Sequence, residues 1–325
     1  MHRHRPPTFV LHLLSIATAL SAAPPARAQG SHSRTGVVPN GPVNLAYYVE
    51  GSGRDTLLVL HGGPGLDAGY IRPDLAPLLK DLTLIFYDQR GTGGSTVVTD
   101  PAQLTLEAHL ADVEAVRKFF AIERVSILGH SWGAALGAHY ARTAQAHVRR
   151  LLLVDAMPAR ATPWGATFGT NLRTWMDQAT RLKLVQLAKA RDTSSDVAGA
   201  CRAYWHVFIR GYFSDPGDTA MIARMHGDPC TAPPAAFRNG KVVSASTLNP
   251  LGDWDWRTQF QDVQVPVLIV HGALDPIPAE SAAEWKTAFP DARLELIPGA
   301  GHFSYVERPK EFVKVVRDFL KSSSQ

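Results

Sequence analysis

Cysteine is almost missing from this chain: only Cys201 and Cys230 occur among 325 residues. That leaves no thiolate cluster for a structural metal, and no Cys/His run has metal-ligand spacing. A Walker loop, a G-x-G-x-x-G turn and an H-E-x-x-H helix are also absent, so phosphate, dinucleotide and metal chemistry find no support and no metal is expected. Long apolar runs are lacking too. The longest mostly apolar stretch, residues 9–23, is interrupted by His12 and two serines and falls short of the roughly 20 residues that span a bilayer. Charge of one sign is scarce once the N-terminus is set aside. Arg3, Arg5 and Arg27 stand without an acid in residues 1–28, and the rest of the chain holds 30 basic against 29 acidic residues. A nucleic-acid partner gains no electrostatic support from such a balance.

Residues 1–28 read as a signal peptide. His2 to Arg5 form a basic start, residues 9–23 an apolar stretch, and Ala26-Arg27-Ala28 the small-x-small site that precedes cleavage. The expected mature start is Gln29, in a secreted or periplasmic protein with no stable membrane insertion after cleavage. In such an oxidising compartment Cys201 and Cys230 can close a disulfide, and two buried thiols are the alternative.

The remainder alternates short apolar runs with helical segments. Residues 37–50 suit an antiparallel hairpin turning at Gly41-Pro42. The runs at 56–60 (TLLVL), 82–87 (LTLIFY), 125–128 (VSIL), 151–154 (LLLV), 267–270 (VLIV) and 294–297 (LELI) suit strands covered on both faces. Residues 105–120, 132–142, 280–289 and 309–320 have helical length and spacing. The pattern predicts a mostly parallel, doubly wound α/β sheet. Between the fourth and fifth parallel strands lie more than 100 residues, too many for a crossover. We therefore expect a first core segment over 29–155, a mainly helical cap over 156–263 and a second core segment over 264–325. The cap holds five of the seven tryptophans and both cysteines.

The pentapeptide Gly129-His130-Ser131-Trp132-Gly133 follows a strand run and precedes a helix, which is the context of a nucleophile elbow. A serine hydroxyl needs a base and a carboxylate to orient that base. Asp275 in HGALD and His302 in GAGH follow later strand runs in the order Ser131, Asp275, His302 expected of such an elbow. His130 and His271 are the rival bases and read as structural. Donors for an oxyanion are expected from the N–H of Trp132 and from the glycine loop 61–65 (HGGPG), at Gly62 or Gly63.

Together GHSWG, HGGPG, the run 87–95 (YDQRGTGGS), HGALD and GAGH resemble the proline iminopeptidase branch of the α/β-hydrolase superfamily over residues 37–155 and 264–320. The resemblance implies an eight-stranded sheet with a helical cap, a cofactor-free Ser-His-Asp mechanism through an acyl-enzyme, and release of an N-terminal residue from a short peptide. It also implies that Asp88 and Arg90 brace loops. Members of that branch hold the substrate ammonium with cap glutamates, one in a Trp-Glu pair. Residues 156–262 contain no glutamate; Trp205-His206 stands where that pair is expected, and nine aspartates face 12 Lys and Arg. Asp215, Asp218 and Asp228, with Trp205, are the substrate-binding candidates, and Glu50 or Glu307 could supply the acid from outside the cap. A carboxylesterase or amidase acting on a small hydrophobic acyl substrate uses the same triad. A silent binding protein on this fold would be expected to lose a triad member, and none is missing. The sequence leaves oligomeric state open.

Overall fold

The computed structural model describes residues 33–322; the signal-peptide assignment lies outside the described residues. The described residues form eight strands: β1 (Ser33–Asn40), β2 (Val43–Glu50), β3 (Asp55–Leu60), β4 (Leu82–Tyr87), β5 (Val125–His130), β6 (Val148–Val154), β7 (Val267–Gly272) and β8 (Arg293–Ile297). They make one sheet in the order β1-β2-β4-β3-β5-β6-β7-β8. The first two pairings are antiparallel and the other five parallel. Strand β1 begins at Ser33, four residues ahead of the hairpin expected from residue 37.

Period-two alternation explains how the central strands are buried on both sides. Leu58, Leu60, Ile127, Leu151, Leu153, Val267 and Ile269 enter one apolar layer. Their neighbours Leu57, Val59, Leu128, Leu152, Val154, Leu268 and Val270 enter the other. Helices α1 (Leu106–Phe119) and α2 (Trp132–Thr143) cover the first face.

Five helices, α3 (Trp164–Thr174), α4 (Gln178–Thr193), α5 (Val197–Phe208), α6 (Thr219–Ile222) and α7 (Pro234–Leu248), lie between β6 and β7. Each of α4, α5 and α6 starts on an aspartate, Asp177, Asp196 or Asp218, whose carboxylate takes a free N–H of the first turn. Cys201 on α5 and Cys230 ahead of α7 are joined by a disulfide with Cα atoms 5.7 Å apart. Helices α8 (Ala279–Ala288), α9 (Ser304–Glu307) and α10 (Pro309–Lys321) complete the order. In α10, Phe312, Val316 and Phe319 are the buried stripe and lie on one face of the helix. None of the described helices is long and apolar enough to cross a membrane.

Candidate active site

Every loop that matters to chemistry leaves the carboxyl end of a parallel strand. The chain runs from β3 outward to β4 and then returns to β5 on the other side, so the ends of β3 and β5 flank the point where the winding reverses. The glycine loop follows β3 and Ser131 follows β5. Asp155 follows β6, Asp275 lies just beyond β7, and His302 just beyond β8.

Ser131 has φ 55° and ψ −117°, a conformation that costs of order 1–3 kcal/mol and persists only where its surroundings impose it. The flanking glycines show what imposes it. A Cβ on Gly129 would strike the carbonyl of Gly133, and a Cβ on Gly133 would strike the carbonyl of Leu60. Helix α2 can thus start directly against β3, with Ser131 standing proud of the turn. Trp132 opens that helix, and its N–H has no acceptor within the helix. Its indole is buried and donates to Gln89 Oε1 at 2.9 Å.

His302 donates from Nδ1 to Asp275 Oδ2 at 2.8 Å, and the Asp275 Oδ1 accepts the Ile277 N–H at 2.7 Å. Burial disfavours charge on both groups. It pushes His302 down to about 3 and Asp275 up to about 7, the latter opposed by His271 and by the Ile277 N–H. At neutral pH the imidazole is therefore uncharged and its Nε2 can accept a proton. Ser131 and His302 line one small cavity of about 60 Å³.

The rival histidines are tied elsewhere. His130 Nε2 donates to the His302 carbonyl at 2.9 Å, while its Nδ1 accepts from Tyr70 Oη at 2.7 Å; Tyr70 Oη in turn accepts the Gly62 N–H at 2.5 Å. One directed chain of hydrogen bonds so links the glycine loop, the elbow and the His302 loop. His271 is wholly buried and donates from Nε2 to the Ile277 carbonyl at 2.8 Å. Sequence reasoning missed Tyr70, whose capture of the Gly62 N–H removes that group as an oxyanion donor. Gly63 lines the cavity instead.

Asp155 was also missed. Wholly buried at φ 43°, it accepts Gly272 N–H at 2.9 Å with one oxygen and Ser304 N–H and Oγ at 3.1 and 2.8 Å with the other. It clamps the Asp275 loop to the His302 loop. Asp155, His271 and Asp275 present ligand atoms within 4.8 Å of one another, but these hydrogen bonds already occupy both Asp155 oxygens and the His271 Nε2. Asp88 and Arg90 act as braces. Asp88 accepts from Tyr48 Oη, Ala68 N–H and Gly94 N–H, and Arg90 forks onto Asp112 with two bonds of 2.7 Å.

The acidic candidates for an ammonium are not brought to Ser131. Asp215 accepts the Gly217 N–H, Asp218 caps α6, and Asp228 accepts Cys230 N–H and pairs with Arg202. Short aspartates satisfy their own local backbone before they reach across a pocket. Glu50 pairs with Arg72 at 2.7 Å. Glu307 is buried, accepting Gly301 N–H at 2.7 Å and Ser214 N–H and Oγ at 3.0 and 2.6 Å. Trp205 does reach the cavity, with Leu66, Ile209, Tyr212, Met225 and Phe303; no carboxylate lines it.

A strained serine elbow on a mostly parallel eight-stranded sheet, with a histidine and an aspartate on following strand ends, defines a hydrolase of the α/β class. The profile of the alpha/beta hydrolase fold family matches residues 55–309, and the chain belongs to that family. Within it the chain is proline iminopeptidase-like. It is 26% identical to a proline iminopeptidase of Heyndrickxia coagulans over 294 residues, covering 88% of this chain and 97% of that one. The crystal structure of a proline iminopeptidase from Mycobacterium smegmatis superposes with a TM-score of 0.62 at 27% identity, over 88% of this chain and 97% of that one. A thermophilic esterase from Thermogutta terrifontis shares the fold, with a TM-score of 0.63 at 20% identity, over 89% and 98% of the two chains.

Proposed function

We propose that this protein is a serine hydrolase that cleaves esters or amides whose acyl group is apolar where it meets Ser131. Ser131 Oγ attacks the carbonyl as His302 Nε2 takes its proton, and Asp275 holds the imidazole and stabilises the imidazolium. The oxyanion is received by the N–H groups of Gly63 and Trp132. His302 then protonates the leaving group, and water, activated by the same imidazole, releases the acid.

The observation that carries the acyl preference is the wall of the cavity beside Ser131, which is aromatic and aliphatic and holds no carboxylate. An ammonium placed there unpaired would cost several kcal/mol. The second reading, removal of an N-terminal proline, is favoured by the likeness to proline iminopeptidases. One comparison separates them: kcat/KM for a proline amide chromogen, its N-acetylated form and a short-chain aryl ester. We expect the ester and the acetylated amide to match or exceed the free amine. A preference of about 100-fold for the free amine, some 2.7 kcal/mol in the transition state, would restore the aminopeptidase. Ser131→Ala should lose about 10³-fold or more on every substrate.

A further inference from the structure

A second, larger hollow of about 440 Å³ adjoins the cavity at Ser131, and Leu66, Trp205 and Pro229 belong to the walls of both. Its floor is the loop that follows β3 and its far wall is cap helix. Arg191 enters from the last turn of α4, and Arg238 and Lys241 stand one turn apart on α7. Asp192 is the one acid among these cap residues, and its carboxylate binds both Arg191 and Lys241. Arg238 bonds only carbonyl oxygens, those of Asp192 at 3.2 Å and Ser194 at 3.1 Å. Asp67 on the floor is buried beside Asp88, and burial and that neighbour push its carboxyl up to about 7. Three cations thus face Asp192 and a carboxyl whose charge is disfavoured, in a hollow that continues the acyl cavity.

We propose that this hollow receives a carboxylate of the substrate, so that the enzyme acts on acyl compounds with an apolar centre at Ser131 and an anionic end several bonds away. The inference rests on the serine hydrolase reading and adds a second recognition element to it. Guanidinium suits such a group, since its N–H fork matches the two carboxylate oxygens, and Arg238 has no carboxylate of its own to release first. The carboxylate can belong to the acyl part, as in the half-ester of a dicarboxylic acid, or to the leaving group, as at the end of a peptide.

Two matched pairs of esters test this and tell the sources apart. The first pair compares an aryl monoester of glutaric acid with the aryl pentanoate. The second compares the pentanoate of 3-(4-hydroxyphenyl)propanoic acid with that of its primary amide. We expect one pair to favour the anion about 10-fold in kcat/KM at low salt, equivalent to about 1.4 kcal/mol. The ratio should shrink at about 0.5 M salt. It should fall to within about twofold in the double variant Arg238→Gln, Lys241→Gln, and survive in Arg238→Lys at a reduced level. Ratios within about twofold for both pairs in the unsubstituted enzyme, or a preference that outlasts the double substitution, overturn the proposal while hydrolysis of the neutral esters leaves the serine hydrolase reading standing. If no ester turns over, that reading fails first. Calorimetric titration of the Ser131→Ala protein with glutarate then decides the hollow alone, with heat that vanishes in the double variant supporting it and no heat overturning it.

Discussion

Glu307 offers a sharp test of how the cap and the catalytic loops are joined. Its carboxylate is the one group that binds both Ser214 of the cap and Gly301, the residue before His302. Replacing it with alanine strands the buried Gly301 N–H, at about 1–3 kcal/mol, and the half-buried Ser214 N–H, at less, and removes a side chain that is 1% exposed. Allowing for rotation of the Ser214 hydroxyl to another partner, we expect Glu307→Ala to lose about 3–5 kcal/mol of stability and Glu307→Gln about half of that. The His302 loop should loosen as well, because the other tie from cap to loop is the His302 N–H to the Tyr212 carbonyl at 2.7 Å. A drop in kcat of about 10-fold or more with little change in KM is the expected signature at a temperature where the variant stays folded. Urea unfolding followed by tryptophan fluorescence gives the first quantity and steady-state kinetics the second. A loss below about 1 kcal/mol with kcat intact refutes the argument. An undiminished stability joined to a KM rise for amine substrates alone would instead make Glu307 an ammonium ligand.

On acidification the His302–Asp275 pair should take up its first proton near pH 7, since burial has raised the Asp275 carboxyl to about 7, so kcat/KM should be flat above that and fall as pH drops below it. Activity unchanged down to about pH 5 would contradict the raised Asp275 carboxyl, whereas full activity of His302→Ala alongside an inactive His271→Ala would remove His302 from the role of base. Asp67 binds its proton in the fold up to about pH 7 but only to about pH 4 when unfolded, so its contribution is intact in acid and lost as pH rises between those values. Asp67→Asn should therefore be more stable than the parent at pH 8, on the order of 1–3 kcal/mol, and indistinguishable from it near pH 4; equal urea midpoints at both would contradict this. Reducing the Cys201–Cys230 bridge, which encloses a separation of 29 residues, should cost about 3–4 kcal/mol by chain entropy. Unfolding midpoints that match with and without reductant would show the estimate to be wrong.

The central parallel strands were legible because each is a short apolar run buried on both faces, as at Leu57 to Leu60 and Val267 to Val270; the run at 294–297 is a strand too, but as the edge strand β8 it leaves Leu296 exposed and is not covered on both faces. Ser131, Asp275 and His302 were legible for a related reason, since the ends of such runs are where side chains with chemistry emerge. The cap helices were not. Helix α4 has no buried residue and leaves Leu182 and Val185 60% and 69% exposed, so it carries no stripe for a sequence pattern to follow. Nor could spacing reveal that Tyr70 takes the Gly62 N–H, since a contact across a 3₁₀ turn has no periodic signature. Asp155 was hidden by its place at the end of an apolar run, where its partners at Gly272 and Ser304 lie 117 and 149 residues away.

Four imidazoles crowd the ends of the central strands, yet the site should behave in solution as though it held one. His61 gives its Nδ1 hydrogen to the Gly62 carbonyl and receives the Gln89 N–H on Nε2, so each ring nitrogen is spoken for in a single tautomer. His130 is pinned in the opposite tautomer between Tyr70 and the His302 carbonyl. To add a proton to either ring would turn an acceptor into a donor facing another donor, a cost added to burial, which already holds both below their ordinary range. His271 keeps a bare Nδ1, but it is walled off from the cavity. His61 and His130 are thereby withdrawn from acid–base exchange, and of the rings that line the cavity His302 alone offers a nitrogen to a proton delivered during turnover.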